Sequence, residues 1–369
     1  MKIVFVAPFG LGKKTTVWAR TLPLARQLVE HGHAARIVIP PWDTPQDAGR
    51  RWWDGGVELV NTAIGGGAPF ILSRLLRASS QFSPDLIHIV KPRAHAGLFQ
   101  WTMWRLRQLR LAAPTLLLDM DDWEQAWAPI NRYPKITALF LAWQEEWGIR
   151  HADGLTTASR WLHRRAQEYA PTTPALYLPN GIADALLGES ALPRRKETNS
   201  QKSVLFFTRY IEVTPIWLAD FAAHLLNQDP QIRFVIAGEP LQPKVIETLQ
   251  SYFAIRNLHD PQQVEWLGAV AKDELPALLD RSICAIFPAQ PTTLQLAKCS
   301  VRLATTLLHG VPVVASAVGE QAQYGAEGAA LLVPAEATPV EFSQAVLDLL
   351  ADDDAQERMI AAARRRLAE

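Results

Sequence analysis

Short apolar runs alternate with longer amphipathic stretches from one end of the chain to the other, the pattern of a parallel sheet with crossover helices. In the first half the pattern predicts strands at Ile3–Ala7, Ala35–Ile39, Leu86–Val90, Thr115–Asp119, Gly154–Thr157 and Ala175–Leu178. In the second half it predicts them at Val204–Phe207, Phe234–Ala237, Val264–Leu267, Cys284–Phe287, Val313–Ala315 and Ala330–Val333. Each half reads as one Rossmann-like, doubly wound α/β domain. Between them Gly188, Pro193, the triple Arg194-Arg195-Lys196 and a Thr-Asn-Ser-Gln stretch have little apolar periodicity, the signature of a linker. The expected organisation is therefore a domain at 1–182, a linker at 183–202 and a second domain at 203–369. No repeat of a solenoid or propeller is present.

Composition agrees: 369 residues, 49% hydrophobic and 20% charged, can bury a sizeable core and normally divide in two. The two cysteines, Cys284 and Cys299, show no paired or CxxC spacing, which argues against a disulfide framework or structural zinc and for a reducing compartment. The opening MKIVFVAP is too short for a signal peptide, and no run reaches the ~20 apolar residues of a membrane span. A cytoplasmic location, or the inner face of a membrane, is expected. Net charge is zero, yet residues 1–182 carry 21 Lys/Arg against 14 Asp/Glu and the remainder 16 against 23. A basic front half favours anionic surfaces, unless its charges are only solvated faces. No nucleic-acid partner is expected.

The first strand runs into Pro8-Phe9-Gly10-Leu11-Gly12-Lys13-Lys14-Thr15 and then a helix through Leu22, Leu24, Ala25, Leu28 and Val29. Such a turn lets backbone N–H groups approach a phosphate, which makes Gly10 and Gly12 candidates for donor binding. A dinucleotide fingerprint would need glycine at Thr15 and an acid closing the second strand, and a P-loop would need glycine at Ala7 and Ser/Thr at Lys14. Both are excluded.

That opening, the helix ending at His31-Gly32-His33, Pro84-Asp85-Leu86-Ile87-His88, Ala152-Asp153-Gly154 and Leu178-Pro179-Asn180-Gly181 resemble the N-terminal domain of family-four-like glycosyltransferases (glycosyl transferases group 1) of GT-B fold. Val204–Arg209, Phe234–Gly238, Val264–Gly268 and His309-Gly310-Val311-Pro312-Val313-Val314-Ala315-Ser316 resemble its donor domain in the same order. The resemblance covers nearly the whole chain. It implies two domains facing across a cleft, a nucleotide-sugar donor held mainly by the second, an acceptor held mainly by the first, retention of anomeric configuration, and no metal or other cofactor. Gly238 is carried over as a donor-side residue and Asn180 as an acceptor-side one.

Departures accompany the matches. The family's Glu, seven residues, Glu pattern falls on Ala297 and Thr305, so both carboxylates are absent. Its diphosphate-clamping arginine is represented by Arg209, but Pro215 stands near the place of its lysine. Lys298 and Arg302 are candidates to supply that charge, because a leaving diphosphate must be paired. Ser300 suits the N-cap of a helix whose amides and dipole favour the same anion, although a merely capped helix would look identical.

Asp119-Met120-Asp121-Asp122-Trp123-Glu124 crowds four carboxylates at the end of a predicted strand, where ligands of open α/β sheets bind. Mutual repulsion should raise at least one pKa, as suits a general base or a partner for sugar hydroxyls, so Asp121, Asp122 and Glu124 are the candidate catalytic residues. Mg²⁺ would suit such oxygens if a substrate phosphate completed its shell. The alternative is an N-cap and acidic first turn for a helix running on from Trp123.

Eleven of the 13 tryptophans lie before residue 162. Flat faces with a polar edge suit sugars or a membrane interface, and Trp123 is the acceptor-side candidate. Trp143 and Trp147, one helical turn apart, fit core packing. Trp101 to Arg110 mixes aromatics and cations, as a membrane-surface segment or as a crossover helix with a solvated basic face. The expected activity is transfer of a hexose to a glycan or lipid-linked acceptor, as in building a cell-envelope polysaccharide. Its rivals are a relative that binds sugar nucleotide or glycan without turnover, and a sugar-nucleotide epimerase.

Overall fold

The computed structural model describes residues 1–12, 16–111, 114–182, 202–271 and 273–368. It divides into two compact units, one from Met1 to Gly181 that takes in Ala297–Cys299, the other made of the remaining chain. Most of the predicted linker lies outside the described residues. Lys202 does not belong to it, because β9 (Lys202–Phe207) already begins there.

The first unit holds an eight-stranded sheet in the order β3-β4-β2-β1-β5-β6-β7-β8. Its strands are β1 (Lys2–Val6), β2 (Ala34–Ile39), β3 (Arg51–Asp54), β4 (Val57–Asn61), β5 (Leu86–Val90), β6 (Thr115–Met120), β7 (Gly154–Thr157) and β8 (Ala175–Tyr177). Every pairing is parallel except β3 with β4, a hairpin that the sequence reading lacks. Gly55 and Gly56 both have positive φ, the backbone that a two-residue hairpin turn demands. Trp53 on this edge strand is exposed, so β3 shows no apolar run.

Helices α1 (Leu22–Glu30), α2 (Ala68–Ser80), α3 (Ala94–Gln108), α4 (Lys135–Arg150) and α5 (Arg160–Tyr169) make the crossovers. α1 is preceded by a π-helical turn at Val17–Thr21, and Ser159 caps α5 by accepting from Leu162 N at 3.1 Å. Phe5, Ile37, Ile39 and Leu59 are fully buried between sheet and helix because alternate residues of the strands face α1.

The second unit has six parallel strands in the order β11-β10-β9-β12-β13-β14. They are β9, β10 (Ile232–Ala237), β11 (Val264–Gly268), β12 (Ser282–Phe287), β13 (Val313–Ser316) and β14 (Leu331–Val333). Counted within the unit this is the 3-2-1-4-5-6 order of the Rossmann fold. Its helices are α6 (Pro215–Gln228), α7 (Lys244–Ile255), α8 (Leu275–Asp280), α9 (Thr293–Ala297), α10 (Val301–Leu308), α11 (Gly319–Tyr324), α12 (Pro339–Leu350) and α13 (Asp353–Ala368). Phe221 of α6 packs on Phe234 of β10 and Phe342 of α12, with ring centroids 5.6 and 5.9 Å apart. Pro215, in the neighbourhood of the family's lysine, is the first residue of α6, where a missing N–H costs nothing. Among the described residues no helix is long and apolar enough to cross a membrane.

Candidate functional site

In the first unit, β5 and β6 run side by side with Val90 opposite Asp119, so the residues that follow each strand emerge together. Lys91, in a left-handed conformation with φ 64°, turns there among the acids that follow β6. Its ammonium lies 2.6 Å from Asp122, 3.3 Å from Asp121 and 3.3 Å from Glu124. Arg93 binds Glu124 at 2.7 Å and donates to the Tyr133 hydroxyl. Thr16 donates to Asp121 at 3.0 Å.

Burial opposes the charge on Lys91, but Asp122, Asp121 and Glu124 outweigh it and hold the ammonium well above its ordinary pKa. Burial likewise opposes Glu124, yet Lys91 and Arg93 pull its carboxyl below the usual range. Asp122 moves up instead, first because of burial and then because Asp121 and Glu124 repel its charge, with Lys91 working against the rise. The expected raised carboxyl of the acidic segment is therefore Asp122, with a side chain 18% exposed.

Beneath this cluster, Arg20 grips Asp119 with two bonds of 2.7 Å and also donates to Leu178 O and Asn180 Oδ1. Thr156 donates to Asp119 at 2.6 Å. Asp119 is lowered because Arg20 overcomes its burial. Glu145 of α4 accepts from the backbone N–H of Glu124 at 2.7 Å and of Gln125 at 3.1 Å. Burial, reinforced by Glu124, pushes its carboxyl up to about 8.

Several sequence expectations change here. The acids cap no long helix, because only a 3-10 turn at Glu124–Trp127 follows and α4 begins at Lys135. Glu124 is buried and committed to Lys91 and Arg93, so Asp122 is the accessible carboxylate. The Lys91 ammonium occupies the place a cation would take, and among the described residues no group of side chains is arranged to hold a metal. Trp123 is in the core, its ring 5.6 Å from Trp161 and 5.9 Å from Tyr169, and offers no platform to a sugar. Trp143, read as core, is exposed.

The glycine loop also differs: the Asp43 carboxylate accepts from Gly10 N at 2.6 Å and Gly12 N at 3.0 Å, so an internal anion sits where a phosphate was expected. A Cβ on Gly12 would lie 2.6 Å from that carboxylate, which explains glycine there without a ligand. Lys13 to Thr15 fall outside the described residues.

Sequence reading missed Lys91, Arg93, Tyr133, Glu145, Arg20 and Asp43. Lys91-Pro92-Arg93 was legible in principle, since it directly follows a predicted strand, at the end where ligands collect. Glu145 and Tyr133 carry no such signal, being brought in by packing.

In the second unit, Arg209 follows β9. Its backbone N–H bonds to Glu212 at 3.2 Å, while its half-buried guanidinium has no hydrogen bond or ion pair among the described residues. Burial, then neighbouring Arg302, depress its pKa against the opposing pull of Glu212 and Glu239. Glu212, itself buried, also accepts from Thr208 Oγ1 at 2.8 Å and Ile211 N at 2.9 Å. Arg302 pairs with Glu212 at 2.8 Å and donates to Phe207 O at 2.9 Å, so its charge is largely answered.

Ser300 caps α10, accepting from Leu303 N at 3.4 Å. Lys298 is half-buried in the connection between α9 and α10. Thr305 is buried on α10 with its carbonyl bonded to His309 N, and Ala297 is fully buried. A Cβ on Gly238 would stand 1.9 Å from Thr208 O, so this glycine is demanded by backbone approach whatever it binds.

Two family models match in tandem: "Glycosyl transferase 4-like domain" over residues 15–181 and "Glycosyl transferases group 1" over residues 201–352. Among curated proteins no sequence matches. Solved structures match along the whole chain. The sucrose-phosphate synthase of Thermosynechococcus elongatus is 16% identical, with TM-score 0.72 over 100% of this chain and 94% of that one. Anabaena HepE in complex with UDP is 16% identical, with TM-score 0.69 over 100% and 95%. WaaG, a glycosyltransferase involved in lipopolysaccharide biosynthesis, is 13% identical, with TM-score 0.68 over 99% and 95%. At these identities they share the fold, two mostly parallel α/β sheets of GT-B type.

Proposed function

Because the chain belongs to the group 1, 4-like glycosyltransferases, we propose that it moves a hexose from a nucleotide-sugar donor to a glycan or lipid-linked acceptor. The observation that carries the donor half is Arg209. A half-buried guanidinium beside a second one, in no ion pair among the described residues and only partly offset by Glu212 and Glu239, is relieved by an anion, and a nucleoside diphosphate supplies one. HepE, solved with UDP, supports the same leaving group. The capped start of α10 adds amide donors and a favourable dipole close to Arg302 in sequence.

On the acceptor side Asp122 is the group suited to a hydroxyl. It is the more exposed carboxylate of its cluster, and its raised pKa favours taking a proton while Lys91 fixes its position. In the transfer the bond from the anomeric carbon to the diphosphate oxygen breaks, a bond to the acceptor hydroxyl oxygen forms, and the hydroxyl proton passes to a base.

The buried Ala297 and Thr305, in place of the family's glutamates, favour a second reading in which sugar nucleotide binds without turnover. A thermal-shift screen of nucleotide sugars, followed by an assay of nucleoside diphosphate release, separates the two. Release that requires an acceptor supports transfer, and binding with no release under any acceptor supports the second reading. A chain whose melting temperature no nucleotide sugar moves would refute both.

A further inference from the structure

Helix α4 supplies something that the acidic turn does not supply for itself. The 3-10 turn at Glu124–Trp127 starts from Trp123, whose side chain makes no capping bond, so its first amides have no local acceptor. Glu145, 1% exposed on α4, brings the acceptor. One of its carboxylate oxygens takes the Glu124 N–H at 2.7 Å and the other takes the Gln125 N–H at 3.1 Å. Two successive amides on one carboxylate fix the backbone just after Asp122. Lys91 grips the same short segment through the Asp122 side chain at 2.6 Å. The two amide bonds are at full strength only while Glu145 is ionised. A neutral acid turns one oxygen into a hydroxyl with a donor of its own, and both bonds lose their charge assistance.

Burial first, and then Glu124, push Glu145 up to about 8, so this change of state falls close to neutral pH. The groups packed around it are settled there. From the turn comes Glu124, which Lys91 and Arg93 keep ionised against its burial. From α5 comes Tyr169, whose phenol burial pushes up, with Arg165 beside it and Arg150 4.8 Å over its ring. On α4 itself Glu146 pairs with Arg150 at 3.4 Å and meets Gln125 Nε2 at 3.4 Å. From α3 the residues against α4 include Ala94, Gly97, Gln100 and Trp104, none of which titrates. Between roughly pH 6 and 9 Lys91 and the arginines stay charged, Glu124 stays ionised and Tyr169 stays neutral. Glu145 and Asp122 are the two raised carboxyls of this set.

We propose that Glu145 is a positioning residue for the transfer: as a carboxylate it clasps the amides of Glu124 and Gln125 and keeps Asp122 in place against Lys91, and on taking a proton it slackens that hold. The base then acts from a fixed place on the alkaline side and from a looser one on the acid side, whatever the charge on Asp122 itself. Only the consequence for turnover rests on the proposed transfer reaction, since the clasp is measured on the chain without substrate.

The test is a titration of the backbone amides by NMR on the isotope-labelled full chain, from roughly pH 6 to 9. The Glu124 and Gln125 amide resonances should move together with a midpoint of about 8. Asp122→Asn should keep that midpoint, and Glu145→Gln should abolish it, because the amide side chain offers one acceptor at every pH. The parent and Asp122→Asn titrations need no change at residue 145, so they stand even where Glu145→Gln does not fold. In an assay of acceptor-dependent nucleoside diphosphate release, Glu145→Gln should turn over roughly tenfold more slowly than the parent on the alkaline side, with donor affinity kept and the gap closing on the acid side. Amides that stay still in the parent, or that move alike in Glu145→Gln, overturn the clasp. A clasp that titrates as expected while Glu145→Gln matches the parent's turnover at every pH overturns the positioning role. A parent that releases no nucleoside diphosphate at any pH refutes the transfer reading instead, and the amide titration still decides the clasp.

Discussion

Replacing Lys91 with methionine keeps most of the side-chain volume and removes the ammonium that stands within 3.3 Å of three carboxylates. Arg93 would still hold Glu124 and Arg20 would still act on Asp121, but Asp122 would keep no ion pair among the described residues. Removing one partner of a buried ion pair costs about 3–5 kcal/mol, because the other charge stays behind uncompensated. The volume change adds less than about 1.5 kcal/mol.

The two contributions are told apart by pH. In the parent protein Glu124 lies below its ordinary pKa, so its contribution is present above that ordinary value and is lost as pH falls through the depressed one. Lys91 lies above its ordinary pKa, so its contribution is present below about 10.4 and is lost only as pH rises through the elevated one. The Lys91 and Glu124 contributions are thus both present between roughly pH 5 and 10, while Asp122, whose carboxyl is raised, opposes them as pH climbs above its ordinary range. Without the ammonium the carboxyls rise instead, and the variant regains stability as acid protonates them. Urea unfolding of parent and Lys91→Met at pH 8, 6.5 and 5 should show the full deficit at pH 8 and a shrinking one at pH 5. A deficit that stays constant across that range would reduce Lys91 to a packing residue and refute the electrostatic account.

Arg209→Ala should weaken nucleotide-sugar binding about ten- to a hundred-fold by calorimetry, the loss of one charge-assisted hydrogen bond, and an unchanged affinity would remove Arg209 from the donor site. Asp122→Asn should lower transfer by about 10²–10⁴ with donor affinity kept, and a fully active variant would defeat its role as base. Asp121→Asn, held by Thr16 and Lys91, bears on the same question, and its turnover should be compared in the same assay. Glu145→Gln should change the pH dependence: a carboxyl raised to about 8 costs the parent stability as pH climbs from its ordinary range to 8, whereas glutamine does not titrate. Parallel stability curves for parent and variant from pH 5 to 8 would show that Glu145 is not raised.

Strands buried on both faces were legible where they read as largely apolar runs, and Leu86–Val90 coincides with β5 end to end; Gly154–Thr157 coincides with β7 although half of it is threonine. The β3–β4 hairpin was not, since Arg51–Asp54 is an edge strand of charges and tryptophans, although Gly55-Gly56 announced its turn. In the acidic segment the carboxylates were visible and their partners were not. Lys91 lies about thirty residues away in sequence and arrives through the register of β5 and β6. Asp43 likewise reaches Gly10 and Gly12 only because β1 and β2 are neighbours, so a loop that reads as open to phosphate is already holding a carboxylate. The order of strands decides such pairings, and periodicity alone does not reveal it.

The bonds gathered by Glu212 have a consequence in time. With Thr208, Arg209 N, Ile211 N and Arg302 all fastened to one carboxylate, the stretch from 208 to 212 has little left to rearrange when an anion arrives. The ordering entropy of that loop is spent during folding, so a ligand meeting Arg209 does not incur it again. Stopped-flow binding should then follow a single exponential whose rate rises linearly with ligand concentration and shows no plateau, because no slow isomerisation precedes or follows the encounter.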